Sequence, residues 1–283
     1  MGALSLSTMA ALAHALNGRC DWLVVALVRA TFMLATTATL VRASGASLVV
    51  WRPRTLWIRS LAGSFSLVCN FYALTRLPIA DAVTLMNVHP LWIVLISAAV
   101  FRRPPTRGEV VGVACGLTGV VLIERPHMDG DRLAAVVALL SSMSTAVAML
   151  GLHRLRQIDA RAVVAHFAGV ASVISATWLF LRGDLLSPRP MEGATLWLLL
   201  GVGASGTLGQ ICLTRAYAAG APAKVAVVGL TQVVFAMGFD VVLWGRPLAP
   251  IALAGFALVL TPTTWLSIRA AHKLAAGAAS SEP

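Results

Sequence analysis

Charge is scarce in this 283-residue chain. Asp, Glu, Lys and Arg together make up 12% of it, about half of what a soluble domain carries. Acidic residues are the scarcest, 11 against 22 Lys and Arg, which leaves a formal net charge of +11. A water-soluble fold needs a polar exterior, and a composition that is 58% hydrophobic leaves too little to build one. The four cysteines, Cys20, Cys69, Cys115 and Cys212, stand alone. No CxxC or His-rich spacing suggests a metal, and no disulfide framework is visible. HExxH, GxSxG and paired membrane-embedded aspartates are also missing, so no catalytic set is apparent and no cofactor is implied. The basic excess does not mark a nucleic-acid binder: the Lys and Arg residues fall in short clusters between apolar runs, without a basic face carrying aromatic platforms.

What the chain has instead is apolar length. Segments at about 2–16, 23–41, 57–75, 79–101, 108–123, 133–152, 162–181, 194–218, 222–244 and 249–268 read as helices. The run from Ile79 to Phe101 holds one charge near its edge, Asp81, and one histidine; Ala194 to Ala218 holds one charge, Arg215. Runs near 20 residues match a hydrocarbon core about 30 Å thick at a rise of about 1.5 Å per residue. Breakers sit between them: Arg52-Pro53-Arg54, Arg103-Pro104-Pro105, Gly220-Ala221-Pro222 and Arg246-Pro247. The expected fold is therefore an all-α polytopic membrane protein with ten transmembrane helices and no soluble domain. Nine further segments follow the first, so it is not read as a cleaved signal.

Basic residues in cytoplasmic loops set orientation. One side takes Arg42, Arg52, Arg54, Arg59, Arg102, Arg103, Arg107, Arg154, Arg156, Arg161, Arg215, Lys224, Arg269 and Lys273; the other takes Arg19, Arg76, Arg125, Arg132, Arg182, Arg189 and Arg246. The bias of 14 to 7 predicts both termini in the cytoplasm of a plasma (inner) membrane protein. The loops at 42–56, 102–107 and 153–161 then face inward, and those at 124–132 and 182–193 outward.

The chain also repeats itself. At an offset of 143, without a gap, Gly63 pairs with Gly206, Cys69 with Cys212, His89 with Gln232, Trp92 with Phe235 and Phe101 with Trp244. Arg103-Pro104 pairs with Arg246-Pro247 and Gly112 with Gly255. Two units follow, 1–126 and 127–283, each of five helices. An odd number of spans forces the second unit to enter the membrane inverted. Inverted repeats are a recurring transporter architecture, with substrate held near the midplane where the units meet. The same offset places the partner of the sixth helix at about −10 to 9, which implies a first helix shortened by roughly ten residues.

The stretch Tyr72-Ala73-Leu74-Thr75-Arg76-Leu77-Pro78-Ile79-Ala80-Asp81-Ala82 precedes Pro90-Leu91-Trp92, a polar turn, and a Gly-rich fifth helix ending Gly119-Val120-Val121-Leu122-Ile123. This pattern resembles the EamA-type transporters of the drug/metabolite superfamily, and the likeness covers nearly the whole chain. The resemblance implies ten helices, a cavity between two five-helix repeats, and alternating access. One departure is plain. Members usually carry a Glu in the turns after the fourth and ninth helices, where this chain reads Phe101-Arg102-Arg103-Pro104 and Trp244-Gly245-Arg246-Pro247.

Candidate site residues follow from polarity at membrane depth, where such groups are costly and face a cavity or a partner. His89 lies at the centre of the 79–101 span, and Pro90 after it should open the helix near Met86, because proline lacks the N–H that would bond four residues back. Gln232 holds the equivalent place in the other unit. Asn70 with Ser66, and Gln210 with Thr207 and Thr214, form polar faces on the third and eighth helices; helix-to-helix glue is the alternative for each. Trp92 lies three residues past His89 on the same face. The expected substrate site is His89, Gln232, Asn70, Gln210, Trp92 and Thr214.

Other features have plainer readings. Gly201-Val202-Gly203-Ala204-Ser205-Gly206 fits GxGxxG but sits inside an apolar helix, where close packing is the expectation. Gly112 to Gly116 is a GxxxG read as packing within one protomer, with a homodimer as the alternative. Asp81 and Asp240 read as wet or paired helix ends, His166 as structural, and Arg29 as snorkelling or pairing with an acid, with attraction of an anionic substrate as the alternative. The function expected is secondary transport of a small neutral, zwitterionic or amphipathic metabolite across the bilayer. A membrane-embedded enzyme acting on a lipid-soluble substrate is the alternative.

Overall fold

A computed structural model describes residues 1–16, 18–49, 51–102, 104–127, 131–182, 193–245 and 247–279, with side chains followed as far as residue 265. The described residues form twelve helices: α1 (Gly2–Ala15), α2 (Trp22–Ala43), α3 (Arg54–Arg76), α4 (Ile79–Met86), α5 (His89–Phe101), α6 (Arg107–Glu124), α7 (Arg132–Arg154), α8 (Ala160–Leu181), α9 (Gly193–Ala219), α10 (Pro222–Gly229), α11 (Thr231–Trp244) and α12 (Pro250–Ala279). Polar caps start several of them where the chain leaves a loop. Asp21 accepts from the Leu23 amide, Asp131 from those of Leu133 and Ala134, and Asp159 from that of Arg161. Thr106 and Glu109 form a reciprocal capping box at α6.

The bundle is apolar outside, unlike a soluble protein, and its largely apolar interior also holds buried polar groups. Leu181, Trp197 and Val242 are more than 70% exposed, whereas Ser7, Thr37, Ser60, Ser141 and Ser142 are fully buried. Hydrocarbon around the bundle removes the need for a polar surface, and buried hydroxyls can then bridge helices. Six segments are long and apolar enough to cross a bilayer: 22–43, 80–100, 132–154, 160–181, 193–219 and 222–244. The helices α1 and α6 are shorter. The third helix is long but carries Arg54, Arg59, Ser60, Ser64, Ser66 and Asn70, much of which turns inward against its neighbours.

Helix pairing follows the internal repeat. The main seams are α3 on α7, α2 on α8, α1 on α9 and α6 on α12. Exchanging the two units turns the α3–α7 seam into α9–α1 and maps the other two onto themselves. The two exchanged seams use different chemistry. Between α3 and α7, Ser66 Oγ lies 3.0 Å from Ser141 Oγ and 2.6 Å from Thr145 Oγ1; Ser141 also donates to Asn70 Oδ1, and Ser144 to the Ala62 carbonyl. Between α1 and α9 the contact is made by glycine. A Cβ at Gly201, Gly206 or Gly209 would come within 3.0 Å of Leu12, Met9 or Leu6. The GxGxxG stretch is thus packing surface for α1 and α2.

Two segments read as continuous helices are broken. The first break, at Asn87 and Val88, was expected as a kink near Met86. The second, at Leu230, was not. Asn87 and Leu230 are 143 residues apart, the offset of the repeat. At the first break, Pro90 withdraws the amide that would bond Met86, and the His89 ring donates to that carbonyl in its place (Nδ1 to O, 3.3 Å). No proline stands at the second. There Gly229 precedes Leu230, and Thr231 Oγ1 bonds back to the Val228 carbonyl at 2.7 Å. The equivalence extends to the far ends of α5 and α11, where Arg102 (φ 50°) and Gly245 (φ 64°), again 143 apart, both close their helix in the left-handed conformation.

Candidate functional site

The paired breaks put His89 and Gln232 at the first turns of α5 and α11, where backbone groups lose helical partners. His89 is half-buried and bonded to Met86. Gln232 is half-buried as well, and its own carbonyl accepts from Ser7 Oγ of α1 at 2.8 Å. Their helices have different neighbours. α5 packs on α7 and α10, and α11 on α1 and α12. The two residues thus occupy equivalent places in the two units without a described contact between them.

The other expected site residues divide into two groups. Asn70 and Trp92 are held by α7: Asn70 accepts from Ser141, and the Trp92 indole donates to Ser142 Oγ at 2.9 Å. Trp92 also packs against the cluster around Ile93, Ala146, Leu150 and Tyr217. Gln210 and Thr214 face inward from α9, 6% and 2% exposed. The Thr214 hydroxyl is buried without a hydrogen-bond partner among the described residues. That group is available to a ligand, since a buried hydroxyl otherwise loses its bonds to water for nothing.

Two arginines differ from their sequence reading. Arg59 falls with the cytoplasmic loop charges by position, yet the structure puts it inside α3 at 1% exposure. Its guanidinium lies over the Phe167 ring of α8, 4.1 Å from the centroid, and none of its three nitrogens has a hydrogen-bond partner among the described residues. The sequence signal was its place inside the third expected helix, at about 57–75, which loop counting absorbed. Arg29 pairs with no acid among the described residues. Its Nε is buried and unpartnered, and a Cβ on Gly206 of α9 would lie 3.1 Å from it. Arg29, Leu67, Phe167 and Ala171 line a void of about 10 Å³ between α2, α3 and α8.

Asp81 and His166 are engaged. Asp81, 1% exposed, accepts from the His127 amide at 2.8 Å, which ties the start of α4 to the loop after α6. His166 bonds Ser60 Oγ through Nδ1 at 2.8 Å and stands edge-on to Trp57, a structural role. A second void, of about 30 Å³, lies at the opposite end of α5 from His89, among Val94, Ser97, Pro104, Pro105, Glu109 and Pro222.

A chain of broken, paired helices around buried polar groups has counterparts among known proteins. The model of the EamA-like transporter family matches twice in succession, at residues 1–125 and 131–268. The pseudopaline exporter CntI of Pseudomonas aeruginosa is 29% identical over 234 residues, 81% of this chain and 80% of that one. An uncharacterized transporter of Helicobacter pylori is 29% identical over 210 residues, 72% and 70% of the two chains. A probable transport protein of Saccharomyces cerevisiae, YPL264C, is 24% identical over 245 residues, 77% of this chain and 69% of its own. A solved crystal structure shares the fold with a TM-score of 0.81, covering 96% of both chains at 20% identity. The chain is a multi-pass membrane protein and belongs to the EamA-like transporter family.

Proposed function

We propose that this membrane transporter is a secondary transporter that exports a small neutral, zwitterionic or amphipathic metabolite by alternating access. Its moving parts are two inverted five-helix units, 1–126 and 127–283, joined as ten spans with both termini cytoplasmic. The observation that carries this reading is the pair of helix breaks at Asn87 and Leu230, one in each unit and each mid-span. Backbone that leaves the helix at membrane depth is tolerated where it lines a cavity or a protein interior, and broken helices of this kind hold substrate in many secondary transporters. The twofold family match and the exchange of helix seams between units support the same architecture. The relation to a pseudopaline exporter favours outward movement.

In this reading His89 and Gln232 contact substrate from the two breaks, and Gln210 and Thr214 add hydrogen bonds from α9. Asn70 and Trp92, fixed by α7, form a wall. The plasma membrane is the proposed location, and the protomer is proposed to suffice, with Gly116 and Gly119 packed inside it. The test is flux. Purified protein in proteoliposomes, loaded in turn with members of a metabolite panel, should release or exchange some of them faster than protein-free vesicles. Vesicles that release no member of the panel faster than the controls would overturn the reading.

A further inference from the structure

The guanidinium of Arg59 is the one cation among the described residues that is wholly inside the bundle with all three nitrogens unpartnered. Its surroundings explain where it points. A Cβ added to Gly63, one turn on, would lie 2.8 Å from Nη1, and the side chain's stem runs over Gly151 of α7. Two glycines therefore leave room for the arginine, which lies flat on Phe167 of α8. Long basic side chains near helix ends usually snorkel to the interface, but Arg59 at 1% exposure reaches no surface. The aromatic face satisfies the plane of the cation and none of its N–H groups. The described ion pairs use Asp21, Asp131 and Asp159 on Arg182, Arg76 and Arg161. Ser64 Oγ, buried five residues on along α3, is also without a partner. Phe167 in turn borders the void whose opposite wall carries Arg29.

We propose that Arg59 is a substrate subsite that takes a carboxylate of the transported metabolite. This rests on the transporter reading and narrows its substrate class to molecules bearing a carboxylate. A planar, forked cation matches a carboxylate with two parallel hydrogen bonds, and a buried charge without an acid of its own is completed by an anionic ligand. An intramembrane cation is also a costly feature that serves a pathway more often than a fold.

The experiment is thermal unfolding of the purified full chain with matched probes: phenylalanine and phenylalaninamide, histidine and histidinamide, benzoate and benzamide, with inorganic phosphate as a separate arm. At least one acid should raise the unfolding midpoint where its amide does not. Arg59→Gln should weaken that acid's apparent affinity about ten-fold or more, the worth of a charge-assisted pair, and Arg59→Lys less. Equal effects of acids and amides, protection by phosphate alone, or a wild-type response in Arg59→Gln would each overturn the proposal and leave Arg59 a packing cation. If Arg59→Gln does not fold, Arg59→Lys decides: an acid effect weakened severalfold supports the subsite, because an ammonium cannot fork on a carboxylate, and an unchanged one sinks it. Flux separates the two readings. Wild-type vesicles that move amides but no acid remove the carboxylate subsite and keep the transporter; vesicles that move nothing remove the transporter.

Discussion

Gly119 of α6 and Gly255 of α12 face each other so closely that a methyl group on either would sit 2.7 Å from the other's carbonyl oxygen. The obstacle is backbone on both sides, so relief requires the two helices to move apart. Alanine would raise intrinsic helix propensity by up to about 1 kcal/mol, whereas overpacking costs about 1–3 kcal/mol. Gly119→Ala and Gly255→Ala should therefore lower the thermal midpoint in detergent by a few degrees, and the valine variants by more. A rise in midpoint for either alanine variant would show that the seam is looser than its geometry.

The opposite seam should respond differently, because α3 and α7 are joined by side chains. Ser141 touches Ser66 and donates to Asn70. Interhelical bonds of this kind contribute about 0.6 kcal/mol on average and up to about 1.7 in membrane proteins. Ser141→Ala and Asn70→Ala should each destabilise by about that amount, and the double variant by less than the sum, since both remove the same bond. Full additivity in a thermal-shift cycle would mean that Asn70 is engaged elsewhere, for instance by substrate.

Topology gives a third check. Cysteines introduced at Ser44 and His127, both exposed and in loops at opposite ends of the bundle, should react with an impermeant thiol reagent from opposite faces of the membrane in a Cys-less background. The basic bias of the loops puts Ser44 inside. Labelling of both from one face would end the inverted-repeat architecture.

Much of the fold was legible because bilayer thickness sets helix length and breakers mark the loops, so the helix bounds differ by only a few residues apart from the long α12. The offset of 143 carried further than expected, since it also relates the breaks at Asn87 and Leu230 and the left-handed caps at Arg102 and Gly245. The first break was visible in Pro90. The second was hidden, because Gly229-Leu230-Thr231 holds no proline and reads as a continuous apolar run. Arg59 was missed for another reason. Loop counting assigns charge by sequence position, whereas burial depends on which face of α3 meets α8, and a single helix does not reveal its neighbours. Asn70 and Ser141 illustrate the same limit: hydroxyls and amides read alike whether they bond a ligand or another helix.

The loop before α8 offers a pH test outside the membrane-spanning segments. Asp159 caps α8 and takes two bonds from Arg161, through Nε at 3.0 Å and Nη2 at 2.6 Å. The Arg161 side-chain hydrogen bonds, more than charge alone, hold this carboxyl below its usual range. A depressed carboxyl contributes stability above the unfolded value, and that stability is lost as pH falls through the folded one. Losing an N-cap costs about 0.5–2 kcal/mol. Asp159→Ala should therefore lower the midpoint near neutral pH, and the gap from wild type should close as pH drops below about 4. A gap that stays constant well below that pH would show that the charge plays no part.

The breaks themselves make the sharpest claim about transport. His89 and Gln232 open α5 and α11 at equivalent positions, and each side chain can both donate and accept. His89 spends one ring nitrogen on Met86, which leaves Nε2 for a ligand. If substrate bonds these groups in a dry cavity, each lost bond costs about 1–3 kcal/mol, or roughly ten-fold in flux at low substrate. His89→Ala and Gln232→Ala should thus slow exchange in proteoliposomes about ten-fold or more while the protein still inserts and elutes as a single species. Thr214→Val should fall less, because it deletes one hydroxyl on α9, and its thermal midpoint should hold or rise, because that hydroxyl has no partner to lose. Normal flux in both alanine variants would mean that the broken helices carry no substrate at their first turns, and the path would then have to run elsewhere between the units.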